Sequence, residues 1–152
     1  MKSAQNPGHR IVAGVDGSPS SKAALRWAVR QAELTGASVE AVMAWHLPVV
    51  VGGTFMPLGV LEGPDFGDIA AKLLTEAIGQ TVDAASRVEI SSTVTEGNAA
   101  QVLLEAADGA DLLVVGSRGH GGFTGALLGS VSQHCAHHAP CPLVIVRESR
   151  TR

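Results

Sequence analysis

Val114-Val115-Gly116-Ser117-Arg118-Gly119, nine residues of which Gly121, Gly122 and Gly125 are further glycines, and then Gly129-Ser130-Val131-Ser132 make up the stretch on which the fold turns. The apolar run Leu112–Val115 that leads into it is too short for a helix and suits a strand buried on both faces. A helix leads out of it from Ser130. Strand, glycine-rich loop and helix N-terminus in that order is how α/β proteins hold phosphate. Residues without side chains leave backbone N–H groups open, and the helix end adds its own unsatisfied donors and the positive end of its dipole. The spacing G-x2-G-x9-G-S therefore points to a cradle for a nucleotide triphosphate tail. With 18 glycines among 152 residues, a glycine-rich surface loop with no ligand would give the same pattern, and both readings stay open on these residues alone.

Working outward, Arg10–Val15 is a second short apolar run, ended by Asp16-Gly17-Ser18. Ser18-Pro19 supplies an N-cap and a proline at the first helical position, and Leu25, Ala28, Val29 and Ala32 repeat at helical spacing until Thr35-Gly36. A strand at Ser38–Trp45 follows. Residues 46–67 carry so many prolines and glycines that they read as one long loop, either a lid over a ligand or a disordered insertion. A helix from Asp68 to about Ser86, a strand over Val88–Val94, and a helix opened by an Asn98/Gln101 capping box come next. Ser130 to about His138 is the last helix and Leu143–Arg147 the last strand. The order βαβαβαβαβ predicts a Rossmann-like, doubly wound, five-stranded parallel sheet with strand order 3-2-1-4-5. In that order the direction of winding reverses between strands 1 and 4, so Asp16 and the glycine-rich loop share one crevice.

Length and composition fit a single domain over residues 1–152, with its core at about 9–148. Two Trp, three Phe and no Tyr leave few platforms for stacking single-stranded nucleic acid. A net charge of −3 gives no basic excess for a duplex, so no nucleic-acid partner is expected. No apolar run reaches membrane-spanning length and Met1–Arg10 lacks the core of a secretory signal, so no membrane partner and a cytoplasmic location are expected. Cys135 and Cys141 suit a reducing compartment and are not expected to pair.

Several residues carry chemistry in this frame. Asp16 accepts hydrogen bonds from a ribose, or helps hold a metal ion, or simply caps the turn before the next helix. Ser130 and Ser132 bring hydroxyls to the anion-binding end of their helix, with plain N-capping the alternative for Ser130. Arg118 either reaches phosphate oxygens or is solvated on the loop. No G-x-x-x-x-G-K-[S/T] occurs, and Lys2, Lys22 and Lys72 are all remote from the loop, which disfavours a P-loop NTPase. No G-x-G-x-x-G follows the first strand, which disfavours a dinucleotide site. His134, Cys135, His137, His138 and Cys141 match no zinc signature, and the last two histidines suit a helix C-terminus, so no metal site is expected. No catalytic triad or nucleophile elbow is assembled.

Three segments together resemble the universal stress protein family, in its ATP-binding subclass: Ile11–Ser18, Gly116-Ser117-Arg118-Gly119 to Gly129-Ser130-Val131-Ser132, and Cys141–Arg147. The resemblance covers nearly the whole chain. It implies bound ATP, with Mg2+ beside it, a homodimer, and a regulatory role in surviving stress with at most slow ATP hydrolysis; the apolar Leu143–Val146, at the sheet edge in the order 3-2-1-4-5, is where two copies are expected to pair. It also implies a binding set. Gly14, Val15 and Asp16 lie on the ribose side and the backbone near Trp45 meets the base. Gly116, Arg118, Gly119, Gly129 and Ser130 line ribose and phosphates, with Val131 and Ser132 extending the phosphate site. The alternative within the same family is a dimeric interaction protein that does not bind nucleotide.

Overall fold

The computed structural model describes residues 9–46, 65–119 and 128–148. Nine elements alternate along it: β1 Arg10–Gly14, α1 Pro19–Thr35, β2 Ser38–Trp45, α2 Phe66–Thr81, β3 Ile90–Glu96, α3 Ala99–Ala106, β4 Leu112–Gly116, α4 Ser130–His138 and β5 Leu143–Val146. The five strands form one parallel sheet in the order β3-β2-β1-β4-β5, as the alternation predicts.

Strand β1 sits at the centre, and apolar side chains on both of its faces are buried there. Ile11, Ala13 and Val15 face α1 and α2, in a core that contains Leu25 and Leu74. Val12 faces the other way, with Leu103, Leu113 and Cys135, under α3 and α4. Helix α1 has the ends that its sequence announces. Ser18 accepts the N–H of Ser21 at 3.2 Å, and Gly36 closes the helix at φ 76°, a left-handed conformation that strains other residues.

The structure corrects the neighbouring boundaries. Helix α2 starts inside the expected loop, because the Asp65 carboxylate accepts the Gly67 N–H at 2.8 Å and caps it there. It ends at Thr81 rather than near Ser86, since Asp83 takes up the Ala85 N–H at 2.9 Å and turns the chain. Strand β3 is displaced to Ile90–Glu96 by its register with β2, in which Ile90 pairs with Val39. Asn98 caps α3, but Gln101 reaches forward to Glu105 at 3.3 Å, so only half of the capping box forms. The remainder of the expected 46–67 loop, residues 47–64, lies outside the described residues. No helix among the described residues is long and apolar enough to cross a membrane.

Two glycines separate packing from mere permissiveness. A Cβ on Gly116 would lie 2.5–2.8 Å from the hydroxyl and backbone of Ser20, whereas one on Gly79, in α2, would meet nothing within 4 Å. Gly116→Ala is expected to lower unfolding free energy by about 1–3 kcal/mol in urea titrations, and Gly79→Ala to raise it by about 0.5–1 kcal/mol.

Candidate functional site

Strands β1 and β4 are neighbours, and their following helices leave toward opposite faces of the sheet. A cavity of about 370 Å³ opens between the diverging loops, within the size range of small-molecule sites. Its walls differ in chemistry. One end is apolar, built by Val42 and Ala44 of β2, Val115 of β4, and Ala99 and Leu103 of α3. The other end is polar, formed by Asp16, Arg118, Gly119 and the first turn of α4.

The polar end is held by a web of short contacts. Asp16 caps the turn before α1 and also faces the glycine loop. One carboxylate oxygen accepts the Ser18 N–H at 2.8 Å, and a Cβ added to Gly119 would meet the other at 2.9 Å, so the carboxylate faces the glycine loop. Close approach is a requirement at Gly116, against the Ser20 backbone, whereas at Gly119 only the Asp16 carboxylate end stands in the way. At Gly129 an added Cβ would make only ordinary contacts from 3.5 Å, and the residue instead serves as the α4 N-cap with no side-chain bond.

Not every N–H of the loop is open, as the glycine pattern alone suggested. Ser117 donates to the Val146 carbonyl at 2.9 Å, Arg118 to the Ser20 hydroxyl at 3.3 Å, and Gly129 to the Ser117 carbonyl at 2.7 Å. Among the described residues, no acceptor takes the N–H groups of Gly119, Ser130, Val131 or Ser132. These are the donors that an anion would use.

The serines divide their work. Ser130, the first residue of α4, is exposed and does not cap. Ser132 is 2% exposed, and its hydroxyl lies 3.0 Å from the Gly129 carbonyl and 3.3 Å from the Ser117 carbonyl, stapling the loop to the helix.

Ten of the residues singled out from sequence border this one cavity: Gly14, Val15, Asp16, Gly116, Arg118, Gly119, Gly129, Ser130, Val131 and Ser132. Trp45 does not. Its side chain packs on the opposite face of the sheet, its ring 3.5 Å from where a Cβ on Gly67 would stand. The alternation of β2 gives the cavity Val42, Ala44 and His46 instead. Residues 120–127 of the glycine-rich stretch lie outside the described residues.

The match to the universal stress protein family model runs over residues 8–147. The chain belongs to the universal stress protein family. A universal stress protein of Mycolicibacterium smegmatis is 35% identical over 137 residues, covering 90% of this chain and 45% of the relative. The chain therefore spans about half the length of the curated relatives it matches. Among solved structures, a universal stress protein in complex with cAMP is 27% identical, with TM-score 0.60, covering 93% of this chain and 98% of its own. An Arabidopsis thaliana family member with AMP bound gives TM-score 0.60 at 17% identity, covering 93% of this chain and 92% of its own. At that identity it supports the fold alone.

The two cysteines are free. Burial pushes the Cys135 thiol up from its usual range. Cys141 is raised less simply, by burial first and the Asp111 carboxylate, against the Arg10 guanidinium, which lowers it. Only thiolate reacts, so an aromatic disulfide reagent at pH 8 is expected to label the partly exposed Cys141 in native protein and Cys135 only after unfolding. Equal labelling rates of both thiols would contradict this packing.

Proposed function

We infer that the chain binds an adenine nucleotide in the β1/β4 crevice, ATP with Mg2+ being the expected form, and that occupancy regulates a stress-survival role in the cytoplasm. One observation carries the reading. The Asp16 carboxylate, Gly119 and the N–H groups of Ser130–Ser132, which no acceptor takes among the described residues, converge on a cavity with an apolar wall. The two ends suit the two ends of a nucleotide. Backbone donors at a helix N-terminus suit phosphate, and an apolar cleft suits a base. The family member solved with cAMP, 27% identical, supports the same ligand class.

Gly119 and the α4 N-terminus would hold phosphates, and Asp16 would hold the ribose side or a water of the Mg2+ shell. The cation supplies charge neutralisation of the phosphate tail. Tight binding with little turnover is the expected behaviour, since among the described residues the cavity wall holds no Lys and its one Arg is the exposed Arg118.

Isothermal titration of the full chain with MgATP tests the reading. Micromolar affinity is expected. Gly119→Ala should weaken it about tenfold or more by pushing on Asp16 and closing the approach to phosphate, and Gly129→Glu should abolish it by placing a carboxylate at the α4 N-terminus. Both variants should keep the parent's circular dichroism. Parent-like binding by both would remove the site from this crevice, and no binding by the parent would favour the nucleotide-free interaction protein.

We also infer a homodimer through β5. This strand is the sheet edge, and its four residues Leu143–Val146 are apolar and only partly buried. Pairing about a two-fold axis would remove both exposed edges. Sedimentation at tens of micromolar should show dimer for the parent, and monomer or insoluble protein for Val144→Pro or Ile145→Lys.

A further inference from the structure

The far end of α4 holds a feature that nucleotide binding does not use. His134 and His138 are exposed, one helical turn apart, with ring centroids 4.7 Å from each other and planes tilted by 42°. His137, beside them, has its centroid 6.3 Å from that of His138. We propose that His134 and His138 form a two-imidazole site for a borderline divalent transition metal, with Cu2+ bound most tightly, and that His137 takes no part.

The distances carry the argument. A metal at about 2.05 Å from an imidazole nitrogen lies about 3.2 Å from the ring centroid, so two neighbouring imidazole ligands place their centroids about 4.5–5.2 Å apart for angles of about 90–110° at the metal. The His134–His138 pair falls inside that window and the His137–His138 pair outside it. Spacing i, i+4 puts the first pair on one face of the helix, whereas consecutive residues diverge.

The position favours a cation independently. His138 is the last residue of α4, where the negative end of the helix dipole and the terminal carbonyls lie, and His134 stands at the middle of the helix one turn before it. Among the described residues no group of three or more His, Cys, Asp or Glu is placed to hold a metal, so water fills the remaining ligand positions. Such a site selects by intrinsic affinity. Neutral imidazole favours Cu2+ over Ni2+ and Zn2+, and Mg2+ and Ca2+ prefer oxygen.

Protein without an affinity tag is titrated with CuCl2 and followed by calorimetry and electron paramagnetic resonance. One equivalent of Cu2+ with coupling to two nitrogens is expected. His134→Ala and His138→Ala should each weaken it about tenfold or more, His137→Ala by less than about twofold, and Mg2+ should not compete. All three positions are on the exposed side of α4, so folding should be unaffected, which circular dichroism checks. A Zn2+-dependent rise in melting temperature present in the parent and in His137→Ala, and absent in His134→Ala, gives a second reading. Unchanged Cu2+ affinity in His134→Ala and His138→Ala, or an equal loss in His137→Ala, would overturn the proposal.

Discussion

Everything in this molecule hangs on β1 being apolar on both faces. At a sheet edge such a strand keeps part of its apolar surface exposed, as β5 does, and under a single layer of helices it would leave one face bare. It takes the centre, with β2 on one side and β4 on the other. Ile11 and Ala13 then require α1 and α2 above them, and Val12 requires α3 and α4 below. Because the winding reverses at β1, the loops after β1 and β4 part, and the crevice between them is a consequence of the topology rather than a separate design.

A second constraint sharpens that crevice. Gly116 lies against Ser20 with no room for a side chain, and the Ser20 hydroxyl accepts from the Arg118 N–H while facing the Val146 carbonyl at 3.5 Å. One small residue at the start of α1 thus ties together the ends of β4 and β5. Ser132 does the same from the other side, through the Ser117 and Gly129 carbonyls. Donors held in place by the fold need little ordering when an anion arrives, and that preorganisation is the physical basis of the nucleotide site proposed here.

The topology and most of the polar end could be read in the sequence, because punctuation there is chemical. Ser18-Pro19 and Thr35-Gly36 bound α1 as written, and the apolar runs at β1 and β4 admit one kind of sheet. Helix α2 was harder at both ends. Asp65 caps it from inside a proline- and glycine-rich stretch, and Ala84-Ala85 extend the helical pattern that Asp83 breaks. At the end of β2 the sequence did not show which side chains reach the cavity: counting in twos from Val42 leads to Ala44 and His46, which flank Trp45, while the Trp45 ring packs on the other face. Ser20 carried no signal at all. Its partners lie 98 and 126 residues away in sequence, and no local pattern encodes such a contact.

The most direct test of the account is an amide nitrogen–proton NMR titration of the full chain with MgATP. Saturable shifts concentrated at Gly119, Ser130, Val131, Ser132 and Asp16, with smaller ones at Ala44 and His46, are the expected result. Saturable shifts confined to other residues, or none at millimolar nucleotide, would contradict the claim that this crevice is the binding site.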